Sequence, residues 1–365
     1  MQENPSPNAL RSAPPVDQEE IEWQLSGAPL EGIEAWLTRS SAPSPYRIDV
    51  EPTVEIVDRY LDTEDWRLHR AGLVLRIRTR GAESEATLKG FSSRENGLVR
   101  RREITEPLPH GEREALLRST GPVGRRIESL CGKRSLRALF AVRTNRRVFR
   151  LATNGSRIGT IALDRFVVAV PGRNPAPEET RVEVEAAGSD EPLGPVQAFL
   201  DQLRRALPLA PVEESKFEVG LRLSGLVPPA PLRFGETRID RGMTIEEVAF
   251  AVLRRQFTKM VAHEPGTRLG EDPEELHDMR VATRRLRAAL RLFGDALPSP
   301  VLRWTIGLKR TASALGEVRD LDVQLEDLEA WESVDGRPDE GALAPLTAEL
   351  RARRDRARRR MLARL

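Results

Sequence analysis

The sequence predicts two folded regions of different class, an α+β region built on an antiparallel sheet or barrel and an all-α region after it. Three observations carry this. Between residues 18 and 225, short alternating runs recur between Gly, Pro and Asn signals, as half-buried strands do. From Thr244 onward the apolar residues recur instead every three or four positions. Between the two lies Val227-Pro228-Pro229-Ala230-Pro231, through which neither a helix nor a central strand can continue. The length of 365 residues agrees, because it exceeds the usual span of one hydrophobic core.

Residues 1–17, rich in Pro, Asn, Ser and Ala without an apolar period, are expected to form a disordered tail. The first domain then covers 18–225, with strands at 72–80, 85–89, 97–104, 148–152, 158–163 and 180–186 and helical character at 30–39, 113–117 and 195–206. A Pro-rich linker, 226–236, leads to a helical domain over 237–365. Helices are expected there at 244–261, 273–293, 300–315 and 320–331, with Thr244 and Asp320 suited to N-caps and Gly316 to a C-terminal stop. Residues 351–365 contain eight arginines and end in mid-pattern without a C-cap, so a truncated chain is expected.

Composition excludes several classes of protein. The 58 basic and 56 acidic residues nearly cancel, so an ion site must come from local clustering rather than from a global field. One cysteine, Cys131, rules out an intramolecular disulfide framework and a Cys-rich metal site, and favours a reducing compartment. No apolar run approaches the ~18 to 20 residues that span a bilayer, and no basic-then-apolar leader opens the chain. A cytoplasmic protein without a membrane partner is the expectation.

The charges of the first domain are patterned. Glu20 and Glu22, the triplet Arg76, Arg78 and Arg80, the mixed pair Arg101 and Glu103, and Glu183 and Glu185 each sit two residues apart in alternating segments. Each set therefore occupies one face of its strand, while Leu73, Leu75 and Ile77 take the other. A half-exposed sheet with a solvated ionic face explains this. So does a closed barrel whose ionic face lines a wet lumen, where carboxylates hold a divalent metal and cations a polyanion. A metal would reverse the repulsion between those carboxylates and a phosphate chain.

Several segments in order resemble the CYTH family of triphosphate tunnel metalloenzymes. They are Glu20-Ile21-Glu22, Tyr60-Leu61-Asp62-Thr63 with Leu68, Gly72-Leu73-Val74-Leu75-Arg76-Ile77-Arg78, Thr87-Leu88-Lys89-Gly90, Gly97-Leu98 with Arg101 and Glu103, Arg146, Ile161-Ala162-Leu163-Asp164, Glu183-Val184-Glu185 and Ser215-Lys216. The resemblance implies an eight-stranded antiparallel β-barrel, the triphosphate tunnel, that binds a triphosphate with a divalent metal such as Mg2+ or Mn2+ and in many members hydrolyses it. It implies catalytic, metal-side roles for Glu20, Glu22, Glu183 and Glu185, with Asp164 nearby. Arg76, Arg78, Lys89, Arg101, Arg146 and Lys216 would bind phosphate, and Glu103 would orient or balance them. The implied chemistry needs charge neutralisation and in-line positioning more than a protein nucleophile. The family's Glu-x-Glu-x-Lys signature has Gln24 at its last position here. Loss of that cation is expected to weaken phosphate binding, and Gln24→Lys to strengthen it by roughly 1 to 3 kcal/mol. A catalytically weak, ligand-sensing tunnel is therefore the alternative.

In the helical region, at about 100° per residue, His277, Arg280, Arg284, Arg287 and Arg291 share an arc of roughly 80° opposite Met279, Ala282, Leu286, Ala289, Leu290 and Phe293. This is either a solvated face or an anion site; no Asp or Glu occurs at 281–294 to offset it. A lone histidine makes a poor metal site. The run His277-x-x-Arg280-Val281-x-x-Arg284-Arg285-Leu286-Arg287, with Leu315-Gly316-Glu317-Val318-Arg319-Asp320-Leu321-Asp322-Val323 after it, resembles the CHAD domain. That family is a helical bundle of two similar halves associated with polyphosphate, of which the first half is expected here. The resemblance makes the stripe polyphosphate-binding; Lys309, Arg310 and Arg319 are either further phosphate contacts from neighbouring helices or ordinary surface cations. Nucleic acid is the competing ligand, but the five Trp, two Tyr and ten Phe do not interleave with the stripe as a stacking platform. The expected partners are inorganic triphosphate and polyphosphate. The expected activity is metal-dependent triphosphate hydrolysis, with a non-catalytic polyphosphate-binding or scaffold protein as the alternative.

Overall fold

The computed structural model describes residues 14–39, 46–109, 113–188, 193–230, 232, 234–333, 341 and 343–365; residues 1–13 of the expected tail and positions 231 and 233 of the linker lie outside them. The chain divides into two compact units between Pro228 and Pro229, within the proline run.

The first unit contains eight long strands: β1 (Val16–Ser26), β2 (Val54–Thr63), β3 (Leu73–Arg80), β4 (Glu83–Gly90), β5 (Leu98–Pro107), β6 (Leu136–Thr153), β7 (Ser156–Ala169) and β8 (Glu179–Ala186). All their pairings are antiparallel, and the order β1-β8-β7-β6-β2-β3-β4-β5 returns to β1. Strand β1 makes the closure, since Glu22 faces Glu185 of β8 while Glu20 faces Arg101 of β5. Closure leaves the eight-stranded barrel without a free sheet edge. Strand β1 starts at Val16, two residues before the point expected, and pairs with β5 as far as Thr105. The expected strands 148–152 and 158–163 are pieces of the much longer β6 and β7. Strand β2 contains the Tyr60-Leu61-Asp62-Thr63 segment of the resemblance, and its inner face mixes Ile56, Asp58 and Tyr60.

The barrel's hydrophobic core lies outside it. Ile21, Trp23 and Leu25 of β1, Phe149 and Leu151 of β6, Ile161 and Leu163 of β7 and Val182 and Val184 of β8 point outward. Helices α1 (Leu30–Thr38) and α2 (Leu193–Ala206) cover them with Ile33, Leu37, Val196, Phe199, Leu200 and Leu203. Burying these side chains contributes about 1.5 to 3 kcal/mol each, which offsets an interior filled with charge. Helix α3 (Lys216–Ser224) opens with a capping box between Ser215 and Glu218 and packs Phe217 against Tyr60 and Phe140. A Cβ on Gly220 would come within 2.0 Å of the Phe140 ring, so glycine sets how closely α3 approaches β6.

In the second unit, α4 (Ile245–Ala262), α5 (Pro273–Leu292), α6 (Trp304–Glu332) and α7 (Ala344–Leu362) pack in sequence order. Thr244 caps α4 as expected, through a capping box with Glu247. Leu286, Ala289 and Leu290 of α5 pack on Ala249 and Leu253 of α4, while Leu276 and Met279 meet Leu315 and Val318 of α6 and Ala357 and Met361 of α7. The helices expected at 300–315 and 320–331 form instead a short turn of helix, Ser299–Leu302, and the single 29-residue α6. Gly316 does not stop α6, nor does Asp320 cap a new helix. An interior glycine costs only about 1 kcal/mol, and the fully buried Leu315 and Val318 on either side hold the helix through it.

Candidate active site

Alternation turns one face of each barrel strand inward, where mostly charged and polar side chains line a cavity of about 760 Å3. On the β1 side, Glu20 accepts Lys89 Nζ at 2.8 Å and Arg101 Nε at 2.7 Å, and Arg101 Nη2 reaches Glu22 at 2.6 Å. Lys89 also bridges to Glu103 at 2.8 Å, which in turn lies 3.5 Å from Arg76. Burial alone would raise the Glu20 pKa, but attraction and hydrogen bonds from Lys89 and Arg101 hold it well below the ordinary carboxylate range.

Across the cavity, Arg146 of β6 donates to Asp164 of β7 at 2.8 and 2.6 Å and also to Glu183 of β8. Lys216, aimed inward from the first turn of α3, donates to Asp164 and, at 2.9 Å, to Glu183. Burial opposes the ionisation of Glu183, yet Lys216 and then Arg146 keep its pKa well below the usual value. Asp164 is fully buried, and both its oxygens accept from Arg146 and Lys216.

Asp58 of β2, absent from the expected set, holds Arg78 in a bidentate pair at 2.7 and 2.8 Å and lies 3.8 Å from Arg76. Burial would raise its pKa; Arg78 and then Arg76 depress it. It aligns the Arg78 guanidinium and lies beside that of Arg76, whose Nε lacks a hydrogen-bond partner among the described residues. A lone acid between Ile56 and Tyr60 gives no paired-charge signal in the sequence. Arg181 was missed as well, although it precedes Glu183 and Glu185 at the same two-residue spacing. It donates to Gln24 at 3.4 Å, so a buried cation of β8 lies beside position 24.

Negative charge is left over where β1 meets β8. Glu185 has no ion pair among the described residues, and burial followed by repulsion from Glu20 and Glu22 pushes its pKa up to about 7. Glu22 is raised too, first by burial and then by Glu20, against the pull of Arg101. Among the described residues no three acidic, His or Cys side chains are already grouped as a metal-ligand set. The fit to a divalent ion is chemical: hard carboxylate oxygens on facing residues, Glu22 and Glu185, carrying charge that no neighbouring cation fully offsets.

In the second unit the expected stripe lies along α5. Arg284 and Arg291 are exposed, and His277, Arg280 and Arg287 half-buried. Arg280 lies 3.8 Å from Asp320 of α6, so an acid from the neighbouring helix partly offsets it. Arg319 pairs with Glu326 of its own helix at 2.8 Å, whereas Lys309 and Arg310 are exposed. Ten residues set Lys309 and Arg319 about 15 Å apart along α6 and about 80° apart around it, so the two form no common cluster.

The CYTH domain family matches residues 39–217 and the CHAD domain family residues 251–365. Strand β1, with Glu20, Glu22 and Gln24, precedes the CYTH match although its pairings close the barrel. Similar solved structures include HpAC1 from Hippeastrum, described with a dominant triphosphatase activity, at 21% identity over 57% of this chain and 98% of that one, TM-score 0.40. PH1819 from Pyrococcus horikoshii OT3 is similar at 14% identity over 57% of this chain and 97% of that one, TM-score 0.31. The Mimivirus capping-enzyme triphosphatase shares 12% identity over 52% of this chain and 89% of its own, TM-score 0.31. No curated protein matches the chain. With the closed ionic barrel in the first unit and the helices of the second, the chain carries a CYTH domain followed by a CHAD domain.

Proposed function

We propose that the barrel binds and hydrolyses a triphosphate with the help of a divalent metal, Mg2+ or Mn2+, and that the helical domain binds polyphosphate. The observation that carries this reading is the division of the lumen: Arg76, Arg78, Lys89, Arg101, Arg146 and Lys216 converge on one cavity with two facing carboxylates, Glu22, which Arg101 offsets in part, and Glu185, which has no ion pair among the described residues. Glu22 and Glu185, with Glu20 beside them, would hold the metal, which when bound supplies a positive charge against the phosphate oxygens. Arg78, held in place by Asp58, and Arg146 and Lys216, held by Asp164, fix the phosphate chain and offset its charge. The preorganisation is already present, because these cations are locked by buried carboxylates before any ligand arrives.

Inorganic triphosphate is the proposed substrate, since the cations lining the cavity suit phosphate oxygens and the sequence carries no base-recognition motif, and the reaction is hydrolysis of a phosphoanhydride bond. In the helical domain, exposed Arg284 and Arg291 with half-buried His277 and Arg287 would take the longer polyanion. A reducing, cytoplasmic setting is proposed on the single cysteine; among the described residues no helix is long and apolar enough to cross a membrane. The test is phosphate release from tripolyphosphate with Mg2+ or Mn2+. Metal-dependent release that Glu185→Gln abolishes is expected. Tight tripolyphosphate binding without release would establish the non-catalytic reading instead.

A further inference from the structure

Arg181 is a buried cation with an unusual set of neighbours. It projects from β8 on the face of Glu183 and Glu185 and is only 4% exposed. Its register partner on β7 is Asp164, but both Asp164 oxygens are held by Arg146 and Lys216. Among the described residues Arg181 makes no ion pair; its Nε has no hydrogen-bond partner, and its guanidinium lies 5.6 Å from the centre of the Phe166 ring. A charge is not left in such a place without cost, so what it does touch is informative.

Arg181 Nη1 donates to Gln24 Oε1, at a long 3.4 Å, and Gln24 Nε2 donates to Glu22 Oε1 at 2.7 Å. The Gln24 amide has one sensible orientation. Turned over, it would set its NH2 against the guanidinium and its oxygen against the Glu22 carboxylate, so both neighbours select the same rotamer. Glu22 Oε1 accepts a second donor, Arg101 Nη2, at 2.6 Å. With two donors on one oxygen, the other oxygen, Oε2, remains for the cavity that Glu22 lines.

We propose that Arg181 is a positioning residue, acting through Gln24 to lock the Glu22 carboxylate so that one oxygen is held and the other is presented to a divalent ion. The inference rests on the barrel being a metal-assisted triphosphate site. It assigns position 24 a different part from a phosphate clamp: a neutral amide is required there because it must accept from one side and donate to the other.

The experiment is a double-mutant cycle in the full-length protein, with Arg181→Met, Gln24→Leu and both together, reading Mn2+ affinity by electron paramagnetic resonance with tripolyphosphate present. Thermal midpoints are measured in parallel. Each single variant should weaken Mn2+ binding about tenfold, in the range seen when groups that orient a metal ligand are removed. The double variant should be no weaker than the worse single one, because the relay acts as a unit. Mn2+ affinity within twofold of wild type in a folded single variant, or losses that multiply in the double variant, would overturn the relay. Should Arg181→Met fail to fold, Gln24→Leu, which removes no charge, decides the matter by the same twofold criterion. If the wild-type protein binds no Mn2+ beside tripolyphosphate, the metal-site reading of the barrel fails and the relay falls with it. If wild type binds and the variants bind equally well, only the relay falls.

Discussion

Arg78 in the barrel and Arg284 on α5 are both cations expected to meet phosphate, yet they live in opposite surroundings. Arg78 is buried, gripped by both oxygens of Asp58, while Arg284 is exposed on a helix whose acidic neighbours lie elsewhere. In the barrel, cations and carboxylates of alternating strands hold one another, so each side chain has little freedom to move and much to lose if its partner disappears. On the helix, exposed cations such as Arg284 and Arg291 are solvated and screened, and their removal leaves no buried charge behind. The first arrangement suits a fixed, short ligand whose every oxygen must be placed; the second suits a long, flexible polyanion.

The largest expected effect separates two carboxylates on the same strand. Glu185→Gln removes a repelled, unpaired charge, so folding should survive or improve slightly while metal-dependent phosphate release falls by more than about 100-fold. Glu183→Gln should reduce turnover as well, but it also strips Lys216 and Arg146 of a buried partner and should lower the thermal midpoint. Equal stability of the two variants would mean that the ion pairs of Glu183 contribute little. The sequence pairs Glu183 and Glu185 as equivalents; the structure does not.

Next in size is Asp58→Asn, which breaks a buried bidentate pair and should cost about 3 kcal/mol by denaturant unfolding at neutral pH. Because the folded pKa of Asp58 is depressed, its stabilisation is present above the unfolded value of about 3.9 and is lost as pH falls through the folded one. The gap between wild type and variant should therefore narrow below about pH 4. A gap independent of pH would point to lost packing rather than lost charge.

A smaller effect tests position 24. The family signature alone predicts a gain from Gln24→Lys, but Arg181 lies beside it, so a lysine would face a buried cation and lose the amide's two hydrogen bonds. Tripolyphosphate binding should weaken severalfold, by about 1 kcal/mol. Tighter binding would restore the original expectation of a simple missing cation.

What the sequence disclosed depended on whether the signal was local. Arg76 with Arg78 and Glu183 with Glu185 repeat at the strand period, and the α5 stripe repeats at the helix period, so the facing of each set was legible. Barrel closure was not legible from period, since it rests on β1 pairing with both β5 and β8, far away in sequence. The resemblance supplied it. Asp58 was hidden because a single acid on a mixed face has no partner at its own spacing, and its meaning comes from Arg78, twenty residues on. Gly316 misled for the opposite reason: a local stop signal was overruled by packing of Leu315 and Val318 that only the tertiary fold reveals.

The smallest effect on the fold, and the clearest contrast with the barrel, is expected from the α5 stripe. Replacing Arg280, Arg284 and Arg287 together by Gln removes three charges from the side opposite Met279, Leu286 and Leu290, so helix content and thermal midpoint should hardly change. Long-chain polyphosphate binding should respond strongly, because each cation that neutralises a phosphate releases a condensed counterion. By analogy with nucleic acids, the slope of log affinity against log salt should flatten by about two to three units, roughly one per arginine lost. Arg280 should contribute least, since Asp320 already lies 3.8 Å from it and must be displaced before a phosphate can take its place. The full chain is the proper object, with Glu185→Gln in both backgrounds to suppress turnover in the tunnel. An unchanged slope would make the stripe a solvated face and shift attention to the arginines of α7, of which Arg353, Arg356 and Arg360 are already engaged by Glu349 and Glu317.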